Sequence, residues 1–240
     1  MIPIWLSTLA WISIGLGGIT AIYLRWDTYR HPQHMAVMNW VWPLCALFGH
    51  LLIIWFYLQH GRASDHSHHH MHHKTEHTVS KPTVIQVSKG VLHCGSGCTL
   101  GDIIAESLVF FVPTIAVWFG WQTVFADKIF AIWIVDFILA FIIGIIFQYL
   151  SIKPMRQIGV REAFWAALKA DFLSLASWQV GMYGFMAFAH FYWFAHVLKT
   201  PLVVDSASFW LMIQLAMYCG FVTAFPVNYA LIRSGVKEVM

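Results

Sequence analysis

Apolar residues arrive in long runs, and polar residues collect in the gaps between them. Several runs approach or exceed the roughly 20 residues that a helix needs to cross a bilayer. The pattern predicts six spans: about Ile4–Leu24, Met38–Leu58, Ile103–Phe125, Ile129–Leu150, one within Ala163–Leu198, and about Phe209–Ile232. The fifth run exceeds one perpendicular crossing. Its first turns, Arg161 to Lys169, are expected in the interface or in a long tilted helix. The expected fold class is all-α, a polytopic membrane helix bundle of about six transmembrane helices. The chain divides into two N-terminal spans (1–58), a mobile His-rich loop (59–91), and a Cys-motif loop with a four-helix membrane domain (92–240).

Composition supports the membrane reading. The chain is 59% hydrophobic and 10% charged, where soluble domains carry about 25% charged residues. A net charge of +3 is too small to argue for a nucleic-acid partner. The opening Met1-Ile2-Pro3-Ile4-Trp5 lacks a basic region and a small-residue cleavage site, so it reads as the start of a membrane helix. Lys and Arg in the loops set orientation. Ten follow spans two, four and six, against Arg25, Arg30, Lys128 and Lys199 on the other side. That count predicts both termini, the long loop and the cysteine pair in the cytoplasm. A protein this small is also expected to need copies of itself to enclose a path, so a homo-oligomer is compatible.

Candidate chemistry concentrates in His93-Cys94-Gly95-Ser96-Gly97-Cys98-Thr99-Leu100-Gly101-Asp102. The glycines suggest a flexible loop carrying two thiols and an imidazole. Thr99 and Asp102 resemble a capping box, which would start a helix there and put Cys98 at its positive end. Asp102 and Glu106 share a helical face. A Cys2His set with Asp102 or a loop histidine as a fourth donor suits Zn(II), and two thiolates suit Cu(I). The loop before it carries His66, His68, His69, His70, His72, His73 and His77. Such a tract collects transition metals through neutral imidazoles, or is simply a polar loop.

Further polar residues fall at membrane depth: Asp136, Asp171, Gln148, Gln179, Gln214 and Asn228. An intramembrane carboxylate costs several kcal/mol unless paired, protonated or wet, so it is a functional candidate. A structural ion pair with Lys128 or Lys169 is the alternative. Met182 and Met186 share a face, which suits a soft-metal path as well as ordinary packing. Gly181 and Gly184 would allow a neighbouring helix to approach closely.

Several of these stretches resemble the DUF 4396 family of small prokaryotic membrane proteins, whose name implies no activity. The resemblance rests on His93 to Glu106, Val135-Asp136-Phe137 with Phe147-Gln148-Tyr149, and Lys169-Ala170-Asp171. It continues in Trp178-Gln179-Val180-Gly181-Met182-Tyr183-Gly184 and in Phe225-Pro226-Val227-Asn228 to Lys237-Glu238, covering about residues 90–240.

The leading expectation is a membrane protein that binds, and in the fuller form transports, a Cu(I) or Zn(II) ion. His93, Cys94, Cys98 and Asp102 form its entrance, the His tract concentrates metal, and Glu106, Asp136, Asp171, Gln179, Met182 and Met186 line the path. The alternatives are a thiol oxidoreductase using Cys94 and Cys98, and a non-catalytic assembly subunit. The Cys-x-x-x-Cys spacing is not that of thioredoxin-like motifs. No hydrolase elbow, phosphate loop or dinucleotide fingerprint appears, so a non-enzyme is favoured.

Overall fold

The computed structural model describes residues 2–33, 35–63, 81–156 and 159–238. Its elements are α1 (Ile4–Arg30), α2 (Met38–His60), α3 (Val84–Phe111), a short α4 (Thr114–Trp118), α5 (Lys128–Arg156), α6 (Val160–Ala187) and α7 (Ala207–Arg233). A π-helix, Phe188–Leu198, continues α6 without interruption. Five of the expected apolar segments are helical and the third is so in part, and the polytopic all-α membrane bundle stands. Five helices, α1, α2, α3, α5 and α7, are long and apolar enough to cross a membrane.

Contacts fix how the rods run. Gly97 faces Gly144 and Gly101 faces Ala140, so α3 and α5 are antiparallel. Tyr183 reaches Trp133, and His190 reaches Asp127, so α6 with its π extension runs back along α5. Ser174 pairs with Asn228 and Thr223 with Ser177, so α7 returns along α6. Ser13 on α1 bonds Gln214 on α7, and Trp5, Leu9, Leu211 and Leu215 line one cavity, so α1 and α7 are parallel. α5 and α7 therefore run the same way, and the segment between them must cross in return. α6 is that crossing. It falls outside the apolar set because Asp171, Gln179 and its serines lower the hydropathy of α6, and the apolar stretch beyond Ala187 is π-helical.

α2 does not cross. Trp42 lies 5.4 Å from Tyr57 and 6.0 Å from Phe56, ring centre to ring centre. In a straight helix fifteen residues would separate the first pair by about 22 Å. His50, between them, has φ 47° and ψ −130°, where the helix breaks. α2 is thus a helical hairpin, with arms 38–49 and 51–60 joined at Gly49-His50. Each arm is about 15–18 Å long, roughly half the hydrocarbon core. The returning arm is clasped at its end. Tyr57 donates to Asp27 Oδ2 at 2.7 Å and Arg62 donates to Asp27 Oδ1 at 3.1 Å, beside the end of α1. The expected span Met38–Leu58 is therefore re-entrant. Consequently the Ile4 end of α1 and the Arg233 end of α7 lie at opposite ends of the bundle, where both termini were expected on one side.

The third span also differs. It was expected over Ile103–Phe125 with the Cys motif as a loop before it. Instead α3 begins at Val84, capped by Thr83 and Gln86 in a reciprocal pair, and ends ahead of Pro113. Thr99 is no cap: its hydroxyl donates to Gly95 O one turn back, at 2.8 Å. The glycines are not hinges but notches. A Cβ at Gly101 would sit 2.8 Å from the Ala140 backbone, one at Gly97 would sit 3.2 Å from Gly144 Cα, and one at Gly95 would overlap the Trp178 ring. Small residues in this register let α3 and α5 cross closely. The loop boundary at 59–91 and the loop part of 92–240 move accordingly. Gly181 does meet the α7 backbone at Cys219, as expected, whereas Gly184 faces open space.

Candidate functional site

α3 is the central rod, packed against α2, α5, α6 and α7. Residues four apart on a helix share one face. Cys94, Cys98, Asp102 and Glu106 therefore form a single stripe down α3, and all four are buried. Twelve residues separate its ends, about 18 Å at 1.5 Å per residue. That is more than half of a hydrocarbon core of about 30 Å.

The neighbouring helices extend the stripe. Cys94 lies beside Cys98 on one side and beside Asp171, on α6, on the other. Cys98 is close to Asp102 and Asp136. The Asp102 and Asp136 carboxyls are in hydrogen-bond reach of each other, and Glu106 is near both. Asp136 is 2% exposed and Asp102 3%. Two side chains of α6 hold Asp136: the Tyr183 hydroxyl at 2.7 Å and the Gln179 amide nitrogen at 3.3 Å, both on Oδ2. Tyr183 is itself fixed by stacking on Trp133, 4.7 Å away and tilted only 11°. Oxygens of Asp102, Glu106, Asp136 and Asp171 remain without a hydrogen-bond partner among the described residues.

Each end of the ladder has a distinct boundary. At the Glu106 end a cavity of about 340 Å³ is lined by Glu106, Asp127, Lys128, His190 and Asp205. At the Asp171 end Lys237, 2% exposed, donates to Asn228 Oδ1 at 2.7 Å, and to Gly90 O and Ser174 Oγ at 3.2 Å. A Cβ at Gly144 would overlap the Asp171 carboxylate, so this glycine makes room for it.

The expected site residues thus separate into groups. Cys94, Cys98, Asp102, Glu106, Asp136, Asp171 and Gln179 come together. His93 does not join the thiols; it turns to α5, with Nε2 3.0 Å from Ser151 Oγ and its ring against Phe147. The four-donor set of His93, Cys94, Cys98 and Asp102 is therefore not assembled. Among the described residues no three His, Cys, Asp or Glu side chains form a group able to hold a metal ion. Met182 and Met186 are buried in the main apolar core. His68, His69, His70, His72 and His73 lie outside the described residues. Tyr183 and Lys237 were not singled out from sequence. A tyrosine four residues beyond Gln179, on its face, was the available signal for the first. Nothing local marks Lys237 as buried.

A family model described as "Domain of unknown function (DUF4396)" matches residues 85–237. The match begins at the start of α3 and ends on Lys237. It contains every rung of the ladder and excludes α1 and the hairpin. No curated protein and no solved structure matches the chain.

Proposed function

The chain belongs to this family of domains of unknown function, and from that premise we propose that its helical core carries protons across the membrane along the thiol–carboxyl ladder. The contact between the Asp102 and Asp136 carboxyls carries the reading. Two carboxyls in hydrogen-bond reach and away from water fit one shared proton between them. The wider charge balance points the same way. Five carboxyls are buried among the described residues; Asp27 is paired with Arg62, and the four of the ladder have Lys237 as the buried cation. Bare charges there cost several kcal/mol each, so neutralisation by a mobile cation is favoured. A proton fits better than a metal because the donors are strung in a line instead of converging. Thiols and carboxyls both donate and accept, and successive rungs on α3 are about 6 Å apart along the axis. The cavity at Glu106 gives access from one end, and Lys237 stands at the other.

The test is proton flux. Purified protein in liposomes with an internal pH dye should acidify the lumen when a potassium gradient and valinomycin drive the interior negative. No acidification above protein-free liposomes, in either imposed polarity, removes the proposal.

One observation favours a second reading: the Cys94 and Cys98 thiols lie side by side, and two thiolates suffice for Cu(I). The proton reading expects purified protein lacking residues 64–80 to hold no stoichiometric copper or zinc by elemental analysis. One copper per chain, lost in Cys94→Ser/Cys98→Ser, would favour the metal reading. An oxidoreductase is the weaker alternative, because both sulfurs are fully enclosed and out of reach of a partner.

The re-entrant hairpin supports an orientation. Of the thirteen Lys and Arg among the described residues, only Lys128 and Lys199 belong to the end that carries Ile4, Phe111 and Ala207. The bias among them is eleven against two, with Arg25 and Arg30 joining the majority. By the positive-inside rule that majority end, with the close of α7, is the cytoplasmic one. An impermeant maleimide on intact cells should label Asp205→Cys directly and Ser234→Cys only after permeabilisation. The reverse pattern would invert the assignment.

A further inference from the structure

The hairpin leaves a consequence on the side of the bundle that α2 fails to reach. Its arms stop near mid-depth, and beyond the tip lies a cavity of about 560 Å³ between α1, the α6–π segment and α7. The wall is apolar and strongly aromatic, with Trp5, Phe185, Phe188, Trp193 and Tyr218 contributing rings. Its polar groups gather at the hairpin tip. His50 Nε2 lies 3.4 Å from Ser13 Oγ, Ser13 donates to Gln214 Oε1 at 2.6 Å, and Gln214 donates to Leu47 O at 2.8 Å. The returning arm begins at this tip, so its unpaired N–H end faces the same way.

His50 holds its place at a cost. A φ of 47° inside a helix is a region that L side chains avoid. Glycine, which would sit there freely, occupies the preceding position instead. Strain of this kind persists at sites where the side chain is needed. Here it aims an imidazole into an apolar chamber whose volume suits a small molecule of ligand size.

We infer that this cavity binds a lipophilic quinone. The flat ring stacks among the aromatic side chains, one carbonyl accepts from a ring N–H of His50, which Ser13 positions, and the hydrocarbon tail leaves along Leu9 and Leu215 toward lipid. Leu9 and Leu215 are 49% and 40% exposed, on the lipid-facing mouth of the cavity. A plain acyl chain would use the wall but not the tip. The site is separate from the proton ladder, and its binding does not depend on proton movement.

Tryptophan fluorescence of the purified protein in nanodiscs reads the site, because Trp5 and Trp193 line it. A benzoquinone bearing a decyl tail should quench saturably. His50→Gly should weaken that binding at least tenfold while its unfolding temperature stays at or above wild type, since glycine removes the backbone strain. Ser13→Ala, which leaves the backbone alone, should weaken it several-fold. Decane should not displace the quinone at matched concentration. Quenching that fails to saturate overturns the inference. So does unchanged affinity in His50→Gly, or equal displacement by decane, which would mark the cavity as a lipid-tail groove.

Discussion

Asp136→Asn is expected to lower proton flux through the reconstituted protein by about a hundredfold or more, the scale on which removing a positioned proton-transfer group acts. Asparagine has nearly the same shape and still accepts from Tyr183 and Gln179, whose donors lie 2.7 and 3.3 Å from Oδ2. What it cannot do is bind and release a proton opposite Asp102. The substitution also removes one of the ladder's four buried carboxyls, so the variant should be folded and at least as heat-stable as wild type. That combination separates loss of a proton carrier from loss of structure. Asp136→Glu restores a carboxyl with one extra methylene and should recover part of the flux. If Asp136→Asn conducts like wild type, the shared-proton contact is not on the route, and the four carboxyls are helix glue.

The composition of the chain carried the fold class, because in lipid each spanning segment must satisfy its own backbone and so must be a long apolar helix. It carried the polar candidates too: Asp136 and Asp171 stand out in apolar runs, and both lie on the ladder. What misled was reading glycine by the rules of soluble proteins. Gly95, Gly97 and Gly101 suggest a loop when water can hydrate a free backbone. Inside a bundle they are where another helix leans in, as Trp178, Gly144 and Ala140 do. With the loop removed, the four-residue spacing of Cys94, Cys98, Asp102 and Glu106 becomes one stripe, which the sequence contained throughout. The hairpin was less accessible. Its two arms are as apolar as a crossing helix, and hydropathy does not distinguish a rod from a rod folded in half. Only His50 in mid-run and the Asp27–Arg62 clasp, a contact across 35 residues, betray it.

The re-entrant hairpin also changes what the charges say. Treated as a crossing, α2 reverses the side assigned to Arg25 and Arg30 and dilutes the bias. Folded back, it puts eleven of the thirteen Lys and Arg among the described residues at one end. The stronger bias is the one the positive-inside rule expects of a membrane protein. The family match divides the chain at the same seam: the proton ladder, from α3 to Lys237, falls inside it, and the hairpin with its aromatic cavity falls outside.

Gly101→Leu is expected to damage the fold severely, at least about 3 kcal/mol and at the upper end for overpacking. The reason is what the new side chain would meet. At Gly49, Gly90 and Gly144 a Cβ encounters side chains. At Gly101 it lands 2.8 Å from both Cα and N of Ala140, and backbone cannot move without shifting all of α5. Even Gly101→Ala carries this clash, so both variants should lower the unfolding temperature, the leucine further. Gly184→Ala provides the matched control, since nothing lies within 4 Å of its would-be Cβ. It should be neutral or stabilising by up to about 1 kcal/mol from helix propensity alone. The damage should extend to function, because Asp102 is the next residue on α3 and its carboxyl must reach Asp136 across this same contact. Any Gly101→Ala protein that folds should therefore show reduced proton flux with both carboxyls present. A Gly101→Ala variant as stable as Gly184→Ala would mean that α3 and α5 do not cross at this notch, and the alignment of the ladder would fall with it.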